Sequence, residues 1–170
     1  MTGVGDRGTI RVLVVDDDRL VRSALTLMLG GQTDLEVVGE AADGRAAIDL
    51  VDALRPDVVL MDIRMPVLNG LEATAALHAR PHPPRVIVLT TFDADDLVVQ
   101  AVAAGADGFL LKDTAPAEIV AAVHSVVEGD PMLSPTATRA LIDRVRADGA
   151  SQGTDRARSE EHTSELQSQR

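Results

Sequence analysis

Three aspartates, a threonine and a lysine stand where short apolar runs end. Asp16 and Asp17 follow VLVV, Asp62 follows VVLM, Thr90 follows VIVL and Lys112 follows GFLL. Taken singly, each has a plain explanation, because a buried run has to stop and loops begin with polar residues. Brought together they would make a site. Two carboxylates about 5 Å apart repel by roughly 3 kcal/mol at an effective dielectric near 20. Three raise one another's pKa unless something positive intervenes. An oxygen-only donor set suits Mg²⁺, which accepts one or two carboxylates and keeps waters that a phosphate can replace. The chemistry open to such a group is in-line attack of a carboxylate oxygen on phosphorus, giving an acyl phosphate. Asp62 is the candidate nucleophile, Lys112 the cation for a phosphoryl oxygen, and Thr90 the hydroxyl donor. No histidine base is required, since a carboxylate is ionised at neutral pH. His78, His82, His124 and His162 have no zinc-like spacing.

These residues meet only if the apolar runs are parallel strands of one sheet. Ile10–Val15, Leu35–Val38, the run ending at Met61, Val86–Leu89 and Phe109–Leu111 read as five strands. The segments between them are long enough for a helix each. Their stripes are Leu20, Ala24 and Leu27; Ala47, Ile48, Val51 and Leu54; Leu71, Ala75 and Leu77; and Ile119, Val120, Val123 and Val127. Asp18 is placed to cap the first helix, and Asp93, Asp95 and Asp96 lie near the start of the fourth, where the dipole favours acids. Asn69-Gly70 supplies a turn, Gly105 a helix C-cap, and Pro116 the first turn of the fifth helix. The expectation is an α/β fold: a five-stranded parallel sheet with helices on both faces. Right-handed crossovers put the strand C-termini on one rim, where open α/β sheets bind ligands.

Composition narrows the classes further. The chain has 170 residues, 45% of them apolar, and only Phe92 and Phe109 are aromatic, so the core is aliphatic. A net charge of −11 argues against direct DNA binding or adhesion to an anionic membrane by this chain. No cysteine is present, which excludes disulfides and thiolate metal sites and suits a cytoplasmic location. There is no signal-peptide pattern and no apolar run of membrane-spanning length.

With VLVVDDD, VVLMDIRMPVLNG, VIVLTTF and GFLLKD in place, the stretch from Ile10 to Gly129 resembles the receiver domain of bacterial two-component response regulators, in the subgroup with a LuxR-type helix-turn-helix output domain. The resemblance implies a flavodoxin-like, CheY-like receiver fold. It implies Asp62 as the phosphorylated residue, with Mg²⁺ held by Asp16, Asp17, Asp62 and the main-chain carbonyl of Arg64. It also implies Thr90 and Phe109 as switch positions and Lys112 as the phosphoryl-binding lysine. The expected donor is a sensor histidine kinase. The expected response is a change in the face formed by the fourth helix, fifth strand and fifth helix, with homodimerisation through that face and control of transcription by the full-length parent. One departure is Asp113, where many receivers carry proline after the lysine.

Two other readings stand beside this one. In a haloacid-dehalogenase-like phosphatase, Asp16 would be the nucleophile and Asp18 the general acid–base. In a receiver that works by protein contact alone, Asp62 would never be phosphorylated. The expected organisation is an N-terminal extension over 1–9, a receiver over 10–130 and a linker over 131–157 towards a missing DNA-binding domain. Residues 158–170 resemble a translated sequencing adapter and are expected to be non-native. Within the linker, Ser134-Pro135 is placed to cap a further helix with Ala137, Leu141 and Val145 spaced at four.

Overall fold

A computed structural model describes residues 8–91 and 95–150. Phe92, Asp93, residues 1–7 of the extension, and the linker and tail beyond residue 150 lie outside the described residues, as does the side chain of Asp95. The elements are β1 (Ile10–Val15), α1 (Arg19–Gly30), β2 (Leu35–Ala41), α2 (Gly44–Leu54), β3 (Val58–Met61), α3 (Gly70–His78), β4 (Arg85–Thr90), α4 (Asp95–Ala104), β5 (Gly108–Leu111), α5 (Pro116–Val127) and β6 (Met132–Leu133). A sixth helix, α6, runs over 135–150.

All strands are parallel, in the order β2-β1-β3-β4-β5-β6. The order reverses at β1, which pairs with β2 on one side and β3 on the other, so the crevice of the sheet opens between β1 and β3. Alternation along the strands sends Leu13, Val15, Val59, Met61, Val88 and Phe109 to one face, under α2, α3, α4 and α6. Val12, Val14, Leu60, Ile87, Leu89 and Leu110 go to the other, under α1 and α5.

The sheet has six strands, which corrects the expected five. After α5 the chain turns at Gly129. Met132 N–H then donates to the Asp107 carbonyl (3.1 Å) and Ser134 N–H to the Phe109 carbonyl (3.0 Å). Two residues carry no readable periodicity, yet they cover the otherwise open edge of β5.

Two helical stripes also differ from expectation. Leu20 and Leu27 are exposed, at 80% and 82%, and α1 instead buries Leu25 and Leu29, with Val21 and Met28 packed beside them. Two apolar stripes compete on this helix. The one with more large side chains wins, because each fully buried Leu contributes about 1.5–3 kcal/mol. In α3, Ala73, Thr74 and Leu77 are buried and Ala75 is exposed. Thr74 tolerates burial because its hydroxyl donates to the Gly70 carbonyl at 2.7 Å. In α2, Ala47, Ile48 and Val51 are buried as expected and Leu54 is partly buried. In α5, Ile119 and Val123 are buried as expected, Val120 and Val127 are partly buried, and Ala122 and Val126 complete the buried face.

Candidate functional site

Strand register brings the acids together. Val15 pairs with Met61, so Asp16 and Asp62 leave neighbouring strands at the same level, and Asp62 N–H donates to the Val15 carbonyl at 3.0 Å. Asp16, Asp17 and Asp62 each offer a carboxylate oxygen within 4.8 Å of the others. Asp16 and Asp62 are buried and Asp17 is exposed. Lys112, delivered by β5, places Nζ 2.6 Å from Asp16 Oδ2 and 3.3 Å from Asp62 Oδ1.

Local backbone groups fix the carboxylates. Asp62 Oδ1 accepts from Ile63 N–H at 2.9 Å, and Asp16 Oδ1 accepts from Asp18 N–H at 2.8 Å. Arg22 donates to the Asp16 carbonyl at 2.7 Å, tying α1 to the end of β1. Asp18 is the N-cap of α1, accepting from Leu20 N–H at 2.9 Å. A side chain so engaged on an exposed turn is not poised as a general acid, and the phosphatase reading loses its second aspartate.

The floor of the site is set by residues that spacing alone had marked only as a turn. Asn69 caps α3 with a reciprocal capping box to Glu72, and Gly70 is the first helical residue. Gly70 N–H donates to the Ile63 carbonyl at 2.8 Å. A Cβ at position 70 would lie 1.8 Å from the Asp62 carbonyl oxygen, so only glycine lets α3 start this close. Apolar periodicity could not reveal this role; an Asn-x-x-Glu capping signature at 69–72 could.

Electrostatics follow from the count: three carboxylates against one ammonium leave a formal charge of −2 at the rim. Burial and the neighbouring Asp16 charge push the Asp62 carboxyl up to about 6, against the opposing pull of Lys112 and the Ile63 N–H. Burial pulls the Lys112 ammonium down, but its contacts with Asp16 and Asp62 together outweigh this and hold it above the usual lysine range. The donor set is all oxygen and under-neutralised, which fits a hard divalent cation and not a soft metal.

Thr90 ends β4, buried, and its carbonyl accepts from Lys112 N–H at 2.7 Å, so the threonine and the lysine adjoin through the backbone. Phe109 is fully buried on the α4 side of the sheet, paired with Val88 and Leu133. Arg64 is exposed, two residues past Asp62. A separate cavity of about 610 Å³ lies at the opposite rim, lined by Arg55, Arg80, His82 and Arg85 among others. Its Arg80 is spent on Asp52 (2.9 and 3.0 Å) and on the Ala76 carbonyl, so it serves helix ends. Among the described residues no helix is long and apolar enough to cross a membrane.

An acidic crevice at the strand-order reversal, with a lysine bridging two of its carboxylates, defines a receiver-type signalling module. The chain belongs to the response regulator receiver domain family, which it matches over residues 12–124. It is similar to the transcriptional regulatory protein LiaR of Bacillus subtilis (strain 168), with 41% identity over 140 residues, covering 82% of this chain and 66% of that protein. Similarity to the nitrate/nitrite response regulator protein NarL of Escherichia coli (strain K12) is 35% over 139 residues, covering 82% and 64%. Among solved structures, the signal receiver domain of the putative response regulator NarL from Mycobacterium tuberculosis superposes with a TM-score of 0.70 at 42% identity, covering 72% of this chain and 98% of that one. The chain spans just under two thirds of the length of these curated relatives. Membership of this family makes it a signalling module and not an enzyme that turns over a substrate.

Proposed function

We propose that the chain accepts a phosphoryl group on Asp62 from the phosphohistidine of a sensor histidine kinase. The observation that carries this is the crevice itself: three carboxylates with ligand oxygens within 4.8 Å, and Lys112 against two of them. Asp62 Oδ1 is engaged by Ile63 and Lys112, which leaves Oδ2 as the attacking oxygen. The new O–P bond forms as the P–N bond breaks, and the electron pair leaves on the imidazole nitrogen, which then takes up a proton. Asp16, Asp17, Asp62 and the Arg64 carbonyl would hold Mg²⁺, which when bound offsets charge on the phosphoryl oxygens. Lys112, which already stands 3.3 Å from Asp62 Oδ1, then pairs with a phosphoryl oxygen and the Thr90 hydroxyl donates to another, so the added dianion is held from two neighbouring strands.

This charge biases Thr90 and Phe109 and, through them, the face made by α4, β5 and α5, where two activated copies pair. In the parent protein that pairing serves control of transcription. DNA reading is assigned to a separate domain, since a chain of net charge −11 has no basic footprint of its own. The place of action is the cytoplasm, with no contact with the membrane. The test is incubation with acetyl phosphate and Mg²⁺, followed by intact mass. One phosphoryl adduct, labile to base and absent in Asp62→Asn, is expected. A folded, unlabelled chain refutes the assignment and leaves the contact-only receiver standing.

A further inference from the structure

The segment after α5 is tied to the same strand that delivers Lys112. β6 pairs with β5, and Ser134 N–H donates to the Phe109 carbonyl at 3.0 Å. Ser134 Oγ then caps α6 by accepting from Ala137 N–H at 3.1 Å. Ala137 and Ala140 are buried in the cluster that contains Phe109 and the α4 residues Val98 and Ala101. Arg144 reaches Asp96 in the first turn of α4 at 3.2 Å. The helix therefore lies on α4 while β6 occupies the edge of β5.

Its grip is light. The fully buried contribution of α6 is two alanines, whereas α5 buries Ile119, Ala122, Val123 and Val126. The Arg144–Asp96 pair is exposed on both sides (47% and 77%), where ion pairs contribute little and salt screens them. Leu141 adds a partly buried contact with the same cluster, as its spacing from Ala137 predicts, whereas Ile142 and Val145 are exposed. The expected stripe therefore holds at Ala137 and Leu141, takes in Ala140 and ends before Val145.

We propose that β6 and α6 form a latch over the α4–β5 flank, released when the acidic site is loaded. β5 has four residues; Phe109 holds the latch and Lys112, just past the strand end, holds the site. A new anion at Asp62 that draws Lys112 away from Asp16 must therefore act on the strand to which the latch is bonded. Coupling of this kind is reciprocal: weakening the latch favours loading, and loading weakens the latch. The closed latch also covers the face on which two copies would pair, so it opposes self-association of the unloaded chain.

The inference rests on Asp62 being the acceptor, and the experiment separates the two claims. The full chain is treated with acetyl phosphate and Mg²⁺, with intact mass and amide hydrogen exchange read on the same sample. Labelling with roughly tenfold faster exchange over residues 132–147, a factor that one lost contact of ordinary size produces, supports the latch. Labelling with unchanged exchange there overturns the latch and leaves the acceptor reading intact. A folded chain that gains no mass overturns both. Ala140→Asp should open the latch without a phosphodonor and raise self-association. Arg144→Glu, a surface change that leaves the core alone, should give about threefold to fivefold faster exchange over α6. Equal protection in both variants and the parent overturns the latch.

Discussion

Replacing the proposed acceptor should make the metal-free fold more stable. In Asp62→Asn the Oδ1 atom still accepts from Ile63 N–H, Lys112 keeps Asp16 at 2.6 Å, and one buried charge disappears from an under-neutralised crevice. The Asp62 carboxyl is raised from 3.8 to about 6, with burial the leading cause and the Asp16 charge the second. A carboxyl raised on folding binds its proton more tightly in the native state. It therefore contributes stability that is fully present below about pH 3.8 and lost as pH rises to about 6. The full shift of 6 − 3.8 = 2.2 corresponds to about 3 kcal/mol lost by pH 7. Relaxation of the asparagine amide against Lys112 offsets part of this, so a net gain of about 1–2 kcal/mol is expected, or roughly 3–6 °C in Tm for a chain of this size. Urea unfolding of both proteins at about pH 4, 6 and 8, with and without Mg²⁺, reads it directly. The difference should grow between pH 4 and pH 8 and shrink when Mg²⁺ is added, because only the parent gains from the ion. A pH-independent difference, or an asparagine variant less stable at pH 8, would refute the account of the crevice as electrostatically frustrated.

Mg²⁺ has to displace the Asp62 proton below about pH 6, so its apparent affinity should fall by roughly tenfold per unit there and flatten above about pH 7, as calorimetry would read. Gly70→Ala pushes a methyl group onto the Asp62 carbonyl and should cost about 2–3 kcal/mol in urea unfolding while slowing labelling by acetyl phosphate; an unchanged midpoint would contradict the close approach. Val67 is β-branched at φ 69 and 81% exposed, with Leu68 N–H donating back to the Pro66 carbonyl at 2.7 Å. Val67→Gly should therefore raise stability by about 0.5–1 kcal/mol, relief of strain exceeding the added chain entropy; a lower Tm would mean the turn is unstrained.

Most of this site could be read along the chain because its members end strands. Asp16 and Asp62 each follow a run of buried aliphatic residues and Lys112 follows the short apolar run GFLL, and parallel crossovers leave those ends on one rim. What escaped reading had no period to read. β6 is two residues long, and its place is decided by the open edge of β5. Gly70 looked like half of a turn, since the reason for a missing side chain lies in a carbonyl eight residues earlier. The exposed Leu20 and Leu27 show a different limit: α1 carries two apolar stripes, and only packing against β1 and β2 chooses between them.

The loop after Asp62 is closed into a ring, with Gly70 N–H on the Ile63 carbonyl, and that ring is pinned sideways by Gly44 N–H on the Leu68 carbonyl at 2.9 Å. The aspartate thus rides on an anvil shared by α2 and α3, with no slack to give. A charge added at Asp62 therefore meets a tightly tied loop on one bank and, on the other, the ends of β4 and β5 at Thr90 and Lys112, which no such ring of hydrogen bonds encloses among those described.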